Sequence, residues 1–188
     1  MSTELLVVIG VVILAVVIAI AVYNGLVSGR QQVKNAWSQI DVQLKRRHDL
    51  IPNLVNSVKG AMDFEKSTLS AVVEARARAV AAKTPQEAMP AENALSGALG
   101  RFMAVAEAYP QLRSQEGVSA LMEELASTEN KIAFARQHYN DAVQAQNVRV
   151  AAFPGVLFAR FFGFGPETMF DVPAGERAQI EAVPEVKL

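Results

Sequence analysis

Apolar residues follow two patterns along this chain. Over residues 5–22 they are almost continuous, LLVVIGVVILAVVIAIAV, and residues 5–29 carry no charge. Beyond that they recur at every third or fourth position. Leu26, Arg30, Val33, Trp37, Ile40 and Leu44 form one stripe, and Ile51, Val55, Val58, Met62, Glu65, Leu69, Val72, Arg76 and Ala79 form a second. Leu95, Leu99, Phe102, Ala106 and Tyr109 make a third, and Val118, Leu121, Leu125, Thr128, Ile132, Ala135, Tyr139, Ala142 and Gln146 a fourth. Alternating steps of three and four place each set on one seam of an α-helix. No stretch alternates as a strand would. The pattern predicts an all-α fold: an N-terminal transmembrane helix, a long antiparallel helical bundle of about four helices to bury the stripes, and an apolar tail segment.

A hydrocarbon core of ~30 Å is crossed by about 20 apolar residues in a helix. The Val and Ile content favours strand in water, but in lipid the backbone has to satisfy its own hydrogen bonds, which requires a helix. Tyr23 follows the run, where an interfacial aromatic belongs. A cleaved secretory signal is the alternative, with Ala19-Ile20-Ala21 as a small-residue site. Against it, a signal opens with Lys or Arg, whereas the only early charge is Glu4, and the apolar run is long for a signal. No Lys or Arg precedes the span, while Arg30, Lys34, Lys45, Arg46 and Arg47 follow it. The positive-inside rule then predicts an outside N-terminus over residues 1–4, a span over 5–27 and a cytoplasmic bundle over 28–152. An apolar tail near the membrane (153–170) and a polar tail (171–188) complete the map.

Breaks between the stripes have their own signals. His48-Asp49 ends the first stretch, with Asp49 as N-cap and Pro52 in the first turn of the next. Thr84-Pro85-Gln86-Glu87 combines a capping box with Pro at the first helical position. Pro90 predicts a short turn before the third helix, Pro110 closes that helix, and Ser114 caps a fourth that stops before Pro154. A hairpin turning at 48–49 sets Trp37 opposite Gly60, where the missing side chain either makes room for the indole or marks a mild kink. It also makes the second helix, over 49–82, about 50 Å long, enough to reach bilayer level. Either the anchor bends near Gly25 and Gly29, the bundle tilts, or the helices pack with neighbouring subunits.

Composition narrows the chemistry. There is no cysteine, which removes disulfides, thiolate zinc sites and cysteine nucleophiles, and there are two histidines. A net charge of −1 gives no reason to expect nucleic acid as a partner. Glu65, Arg76, Thr128 and Gln146 occupy seam positions, with Arg47, Glu129, Asn130, Arg136 and Tyr139 on or beside them. Glu65 and Glu129 could form a catalytic carboxylate pair, but neither His48 nor His138 has the Glu three residues earlier that a di-iron bundle needs. The structural reading makes these polar groups, with Trp37 and Gly60, fix the core and its register. Gly-x-Ser-x-Gly, His-Glu-x-x-His and Walker glycine loops are absent from the sequence. No enzyme, catalytic residue, cofactor or metal is expected. Lys45, Arg46, Arg47 and His48 make a basic turn, either a solvated helix end or a surface for an acidic partner.

Residues 153–164 read FPGVLFARFFGF, with Arg160 the only charge. Phe153, Phe158, Phe161 and Phe162, with Tyr23 and Arg30, are the candidates for a membrane interface. The segment could instead cap the open end of its own bundle or form an apolar patch shared with another subunit.

Three blocks carry a family resemblance. Tyr23-Asn24-Gly25-Leu26-Val27 leads to Val33 and Ala36-Trp37. Ile40-Asp41-Val42-Gln43-Leu44-Lys45-Arg46-Arg47-His48-Asp49-Leu50-Ile51-Pro52-Asn53-Leu54-Val55 precedes Val58-Lys59-Gly60. Glu129-Asn130-Lys131-Ile132-Ala133-Phe134-Ala135-Arg136 and Tyr139-Asn140 precede Phe153-Pro154 and Gly163-Phe164. Together they closely resemble the LemA family of bacterial membrane proteins, over nearly the whole chain to about residue 170. The resemblance implies a single-pass inner-membrane anchor with a short outside N-terminus and a cytoplasmic helical bundle. It supplies no catalytic residues. Relatives in the broad family are linked to shaping internal membranes, and others occur near membrane proteases. The reading is a membrane-anchored, non-enzymatic scaffold that forms a homo-oligomer on the lipid bilayer and organises membrane or envelope partners. The alternative is an adaptor or regulator of a membrane enzyme such as a protease or signalling protein.

Overall fold

A computed structural model describes residues 3–59, 66–113 and 115–170. Among them there are helices and no strands: α1 (Thr3–Val58), α2 (Lys66–Ala81), α3 (Pro85–Glu107), α4 (Pro110–Arg113), α5 (Glu116–Ala151) and α6 (Gly155–Phe161). The fold is all-α, with the long apolar helix at the N-terminus. Gly60, Glu65, Ser114 and the polar tail from residue 171 lie outside the described residues. The chain forms two compact units, Met1–Gln39 with Ala135–Met169, and Ile40–Phe134 with Phe170–Leu188. The long helices α1 and α5 each contribute to both.

In the second unit the stripes bury as their spacing dictates. Ile51, Leu54, Val55 and Val58 of α1 share a core with Val72, Ala75 and Ala79 of α2, Leu95, Leu99 and Phe102 of α3, and Val118 and Leu125 of α5. α2 and α3 pack as a hairpin across the connection at 82–84. The predicted capping box opens α3. Thr84 Oγ1 accepts from Glu87 N at 3.3 Å, and Glu87 Oε2 accepts from Lys83 N at 3.0 Å. Pro90 makes no break, and α3 runs through it. The donor it lacks would serve only the carbonyl of Gln86, an exposed residue of the first turn where water substitutes.

The main correction is at 48–49, where no turn forms. α1 continues for 56 residues with Pro52 inside it. Proline there removes the amide that would bond the carbonyl of His48. Arg76 supplies the donor instead: its Nε reaches His48 O at 2.8 Å. The charged residue on the second seam is therefore a backbone repair. Because the turn is absent, the count that set Trp37 opposite Gly60 no longer applies; the half-buried indole packs edge-on against Tyr139, with centroids 5.6 Å apart. The 50 Å second helix does not form either, since α2 has 16 residues and a length of about 24 Å.

In the first unit α1 and α5 run antiparallel, with Gln146 Nε2 donating to Leu26 O at 3.2 Å and Trp37 against Tyr139. Gly29 allows that approach, because a Cβ there would run into the side chains of Gln146 and Arg149. After α6 the chain is tied to α5. Tyr139 Oη donates to Thr168 O at 2.9 Å, and Asn147 donates to Glu167 O at 3.0 Å and accepts from Glu167 N at 2.8 Å. Burial, and then the nearby Glu167 charge, push the Tyr139 phenol above its ordinary value.

Replacing Arg76 by Leu strands the His48 carbonyl and should cost about 1–3 kcal/mol of stability. In a Pro52→Ala background the amide of residue 52 bonds that carbonyl, so the same replacement should cost about 1 kcal/mol less. Equal costs in both backgrounds, measured by denaturant unfolding, would show that Arg76 does not serve the proline gap.

Candidate functional site

Arg47 is the centre of polar chemistry in the second unit. Its guanidinium is fully buried, and consecutive helix positions are 100° apart, so it points inward while Lys45 and Arg46 remain exposed. Nη1 donates to Glu129 Oε2 at 2.6 Å and to Ser96 Oγ at 2.8 Å; Nη2 pairs with Glu92 Oε2. Ser96 Oγ in turn donates to Glu129 Oε1 at 2.5 Å. His48 Nε2 stands 2.9 Å from Glu92 Oε1. Burial pushes the Glu92 carboxyl up, but the His48 contact and the Arg47 and His48 charges outweigh it, and the net shift is downward.

The basic stretch is therefore not one surface. Arg47 is buried, His48 is half-buried against Glu92, and exposed Arg46 reaches Glu124 at 2.6 Å. That pair is solvent-screened and adds little. Of the four, Lys45 and Arg46 keep exposed side chains. Glu129 and Arg76 lie in this unit's polar contacts, whereas Asn130, next along α5, is exposed and takes no core position. Arg136 is half-buried and Tyr139 buried in the first unit. Glu92 was not among the sequence candidates. One more step back along the third stripe from Leu95 reaches it, and that spacing was its available signal. Among the described residues no group of three histidines or carboxylates is arranged to hold a metal ion.

The first unit carries an aromatic collar beside the apolar part of α1. Tyr23 meets Phe162 and Phe164 edge-on at 4.9 and 6.0 Å. The Arg30 guanidinium lies over the Phe164 ring, 4.1 Å from its centroid, and donates to Gly163 O at 3.2 Å. Leu26, Ala159 and Phe164 are buried together, with Phe158 partly buried against them. Phe153 and Phe161 are 80% and 83% exposed. The structure thus gathers Tyr23, Arg30, Phe158 and Phe162 in one place, and leaves Phe153 and Phe161 projecting. Above them, the residues of α1 from Leu5 to Ile20 are almost wholly uncovered, and this stretch is long and apolar enough to cross a membrane.

Arg47→Met leaves Glu92 buried without its cation, and should cost about 3–5 kcal/mol. Arg46→Met, at an exposed pair, should cost less than about 1 kcal/mol. Because the folded Glu92 has a lowered pKa, its contribution is complete above the ordinary carboxylate range and is lost as pH falls through the folded value. The gap between wild type and Glu92→Gln should therefore narrow on acidification. A gap independent of pH, in thermal unfolding, would remove Glu92 from the acid response.

Magnetosome protein MamQ 2 of Paramagnetospirillum magneticum is 26% identical over 181 residues, covering 82% of this chain and 66% of the relative. MamQ of Magnetospirillum gryphiswaldense is 25% identical over the same length and coverage. The chain thus spans just under two thirds of these relatives' own length. Protein LemA of Metamycoplasma hominis is 26% identical over 134 residues, covering 69% of this chain and 60% of that protein. The model of the LemA family matches residues 36–188. With a match over most of its length and an uncovered apolar N-terminal helix, this membrane-associated chain belongs to the LemA family.

Proposed function

We propose that the protein is a membrane-anchored, non-enzymatic scaffold that self-associates and organises membrane or envelope partners. The observation that carries this reading is α1 itself, a single helix whose apolar first part is uncovered and whose later part supplies core residues. The absence of Lys and Arg before residue 30, with Arg30 and Lys34 just after the span, supports an N-terminus outside and the remainder in the cytoplasm of a bacterial inner membrane.

Self-association draws on the exposed apolar side chains of the second unit. Arg47 pairs with Glu129 across the antiparallel α1 and α5. Counting back from Arg47 along α1 and forward from Glu129 along α5 brings Val42 and Phe134 to one level, and they are 63% and 73% exposed. A bulky apolar pair at one height is suited to a second copy of the chain. An adaptor role resting on the basic stretch is less favoured, because Arg47 is buried and Arg46 is paired.

Light scattering of the detergent-solubilised protein over a dilution series should give a multiple of the single-chain mass. Phe134→Glu should move it towards one chain without loss of helical circular dichroism. A single-chain mass at every concentration would overturn the reading.

A further inference from the structure

Resting on the reading of α1 as a membrane anchor, we propose that α6 and the turn before it are a second membrane contact, lying among the headgroups of the leaflet where α1 emerges and preferring anionic lipid. The first support is an inverted pattern of side chains. α6 turns Gly155 and Ala159 inward, both buried, and presents Val156, Leu157 and Phe161 outward, with Phe153 just before it. A helix on a water-facing surface does the opposite. The inward seat is close: any Cβ at Gly155 would strike the Arg149 carbonyl. Large apolar groups outside and the smallest ones inside suit an apolar surrounding.

The second support is position within this one unit. Phe162 against Tyr23, and Phe164 beneath Arg30, hold the segment beside residues 22–30 of α1, where its uncovered apolar stretch ends. The apolar face of α6 therefore continues a surface already assigned to lipid. The third support is charge. Residues 5–40 and 142–166 contain Arg30, Lys34, Arg149 and Arg160 and no Asp or Glu. Basic residues beside an anionic leaflet are attracted to it, and interfacial helices bury an apolar face while Arg reaches phosphate. A symmetric contact between two copies would instead set these cations against each other.

The chain has no cysteine, so single-cysteine variants carrying an environment-sensitive fluorophore test this directly. Ile13→Cys, Phe161→Cys and Lys131→Cys would be reconstituted as full chains in phosphatidylcholine vesicles with and without phosphatidylglycerol. Each would be exposed to nitroxide lipid, labelled at the headgroup for 161 and 131 and on the acyl chain for 13, or to aqueous iodide. The label at position 161 should lose emission to the nitroxide lipid and resist iodide, more so with phosphatidylglycerol, and Arg149→Gln with Arg160→Gln should abolish that preference. The label at 131 should respond to iodide alone. If 161 responds like 131 while 13 is still quenched from the bilayer, the second contact is refuted and the anchor stands. If 161 is shielded from both quenchers and the unlabelled Phe161→Cys protein forms disulfide-linked dimers on oxidation, the face belongs to a second copy and the proposal fails. Equal quenching in both vesicles overturns the lipid preference. If 13 is not quenched from lipid, the anchor reading itself falls.

Discussion

α1 has one backbone for two surroundings. If its uncovered apolar part spans lipid, as proposed, each peptide group there has to be satisfied within the helix, because lipid offers no partner. Further along, the same ladder of hydrogen bonds continues into packed protein, where it meets Pro52 and loses one donor. Everything in the second unit that packs on α1 beyond that point, from Leu54 to Val58, depends on the helix passing through the gap. The Nε of Arg76 at His48 O fills it. A side chain from another helix thus completes the backbone of the first.

The charged groups next to this repair obey one rule: where a cation is buried, the acceptors are brought to it. Arg47 receives Glu92 from α3 and Glu129 from α5, and Ser96 bridges to the second carboxylate. Such a cluster contributes less to net stability than an apolar core of equal volume would. It joins α1, α3 and α5 in one arrangement, and a one-residue slip along any of them would strand a charge. The aromatic collar in the first unit achieves a comparable fixing by shape, with Tyr23, Phe162, Phe164 and Arg30 interlocked.

Much of the fold was legible in the chain. Spacings of three and four marked Ile40, Leu44, Leu95, Phe102, Leu125 and Ile132 as core, and all are buried. The capping box at Thr84 could be read because its partners are local. The continuation through His48-Asp49 could not, because Asp followed by Pro is also how a helix begins, and the donor that decides the matter comes from Arg76, 28 residues on. The basic stretch misled for a related reason: neighbours in sequence lie on different faces of a helix, and a further step of three from Leu44 puts Arg47, not Lys45 or Arg46, on the buried seam. The polarity of α6 was hidden too, since FPGVLFARFF does not say which side meets the protein until Gly155 and Ala159 are seen seated on it.

Amide hydrogen exchange of the full chain in lipid tests the central claim most directly, because it reads the hydrogen-bond ladder of α1 residue by residue. An unbroken helix predicts slow exchange from residue 24 to Val58, with Asp49, Leu50, Ile51 and Asn53 as protected as their neighbours. Rapid exchange confined to residues 48–53 would mean that the chain turns there, and would contradict the account.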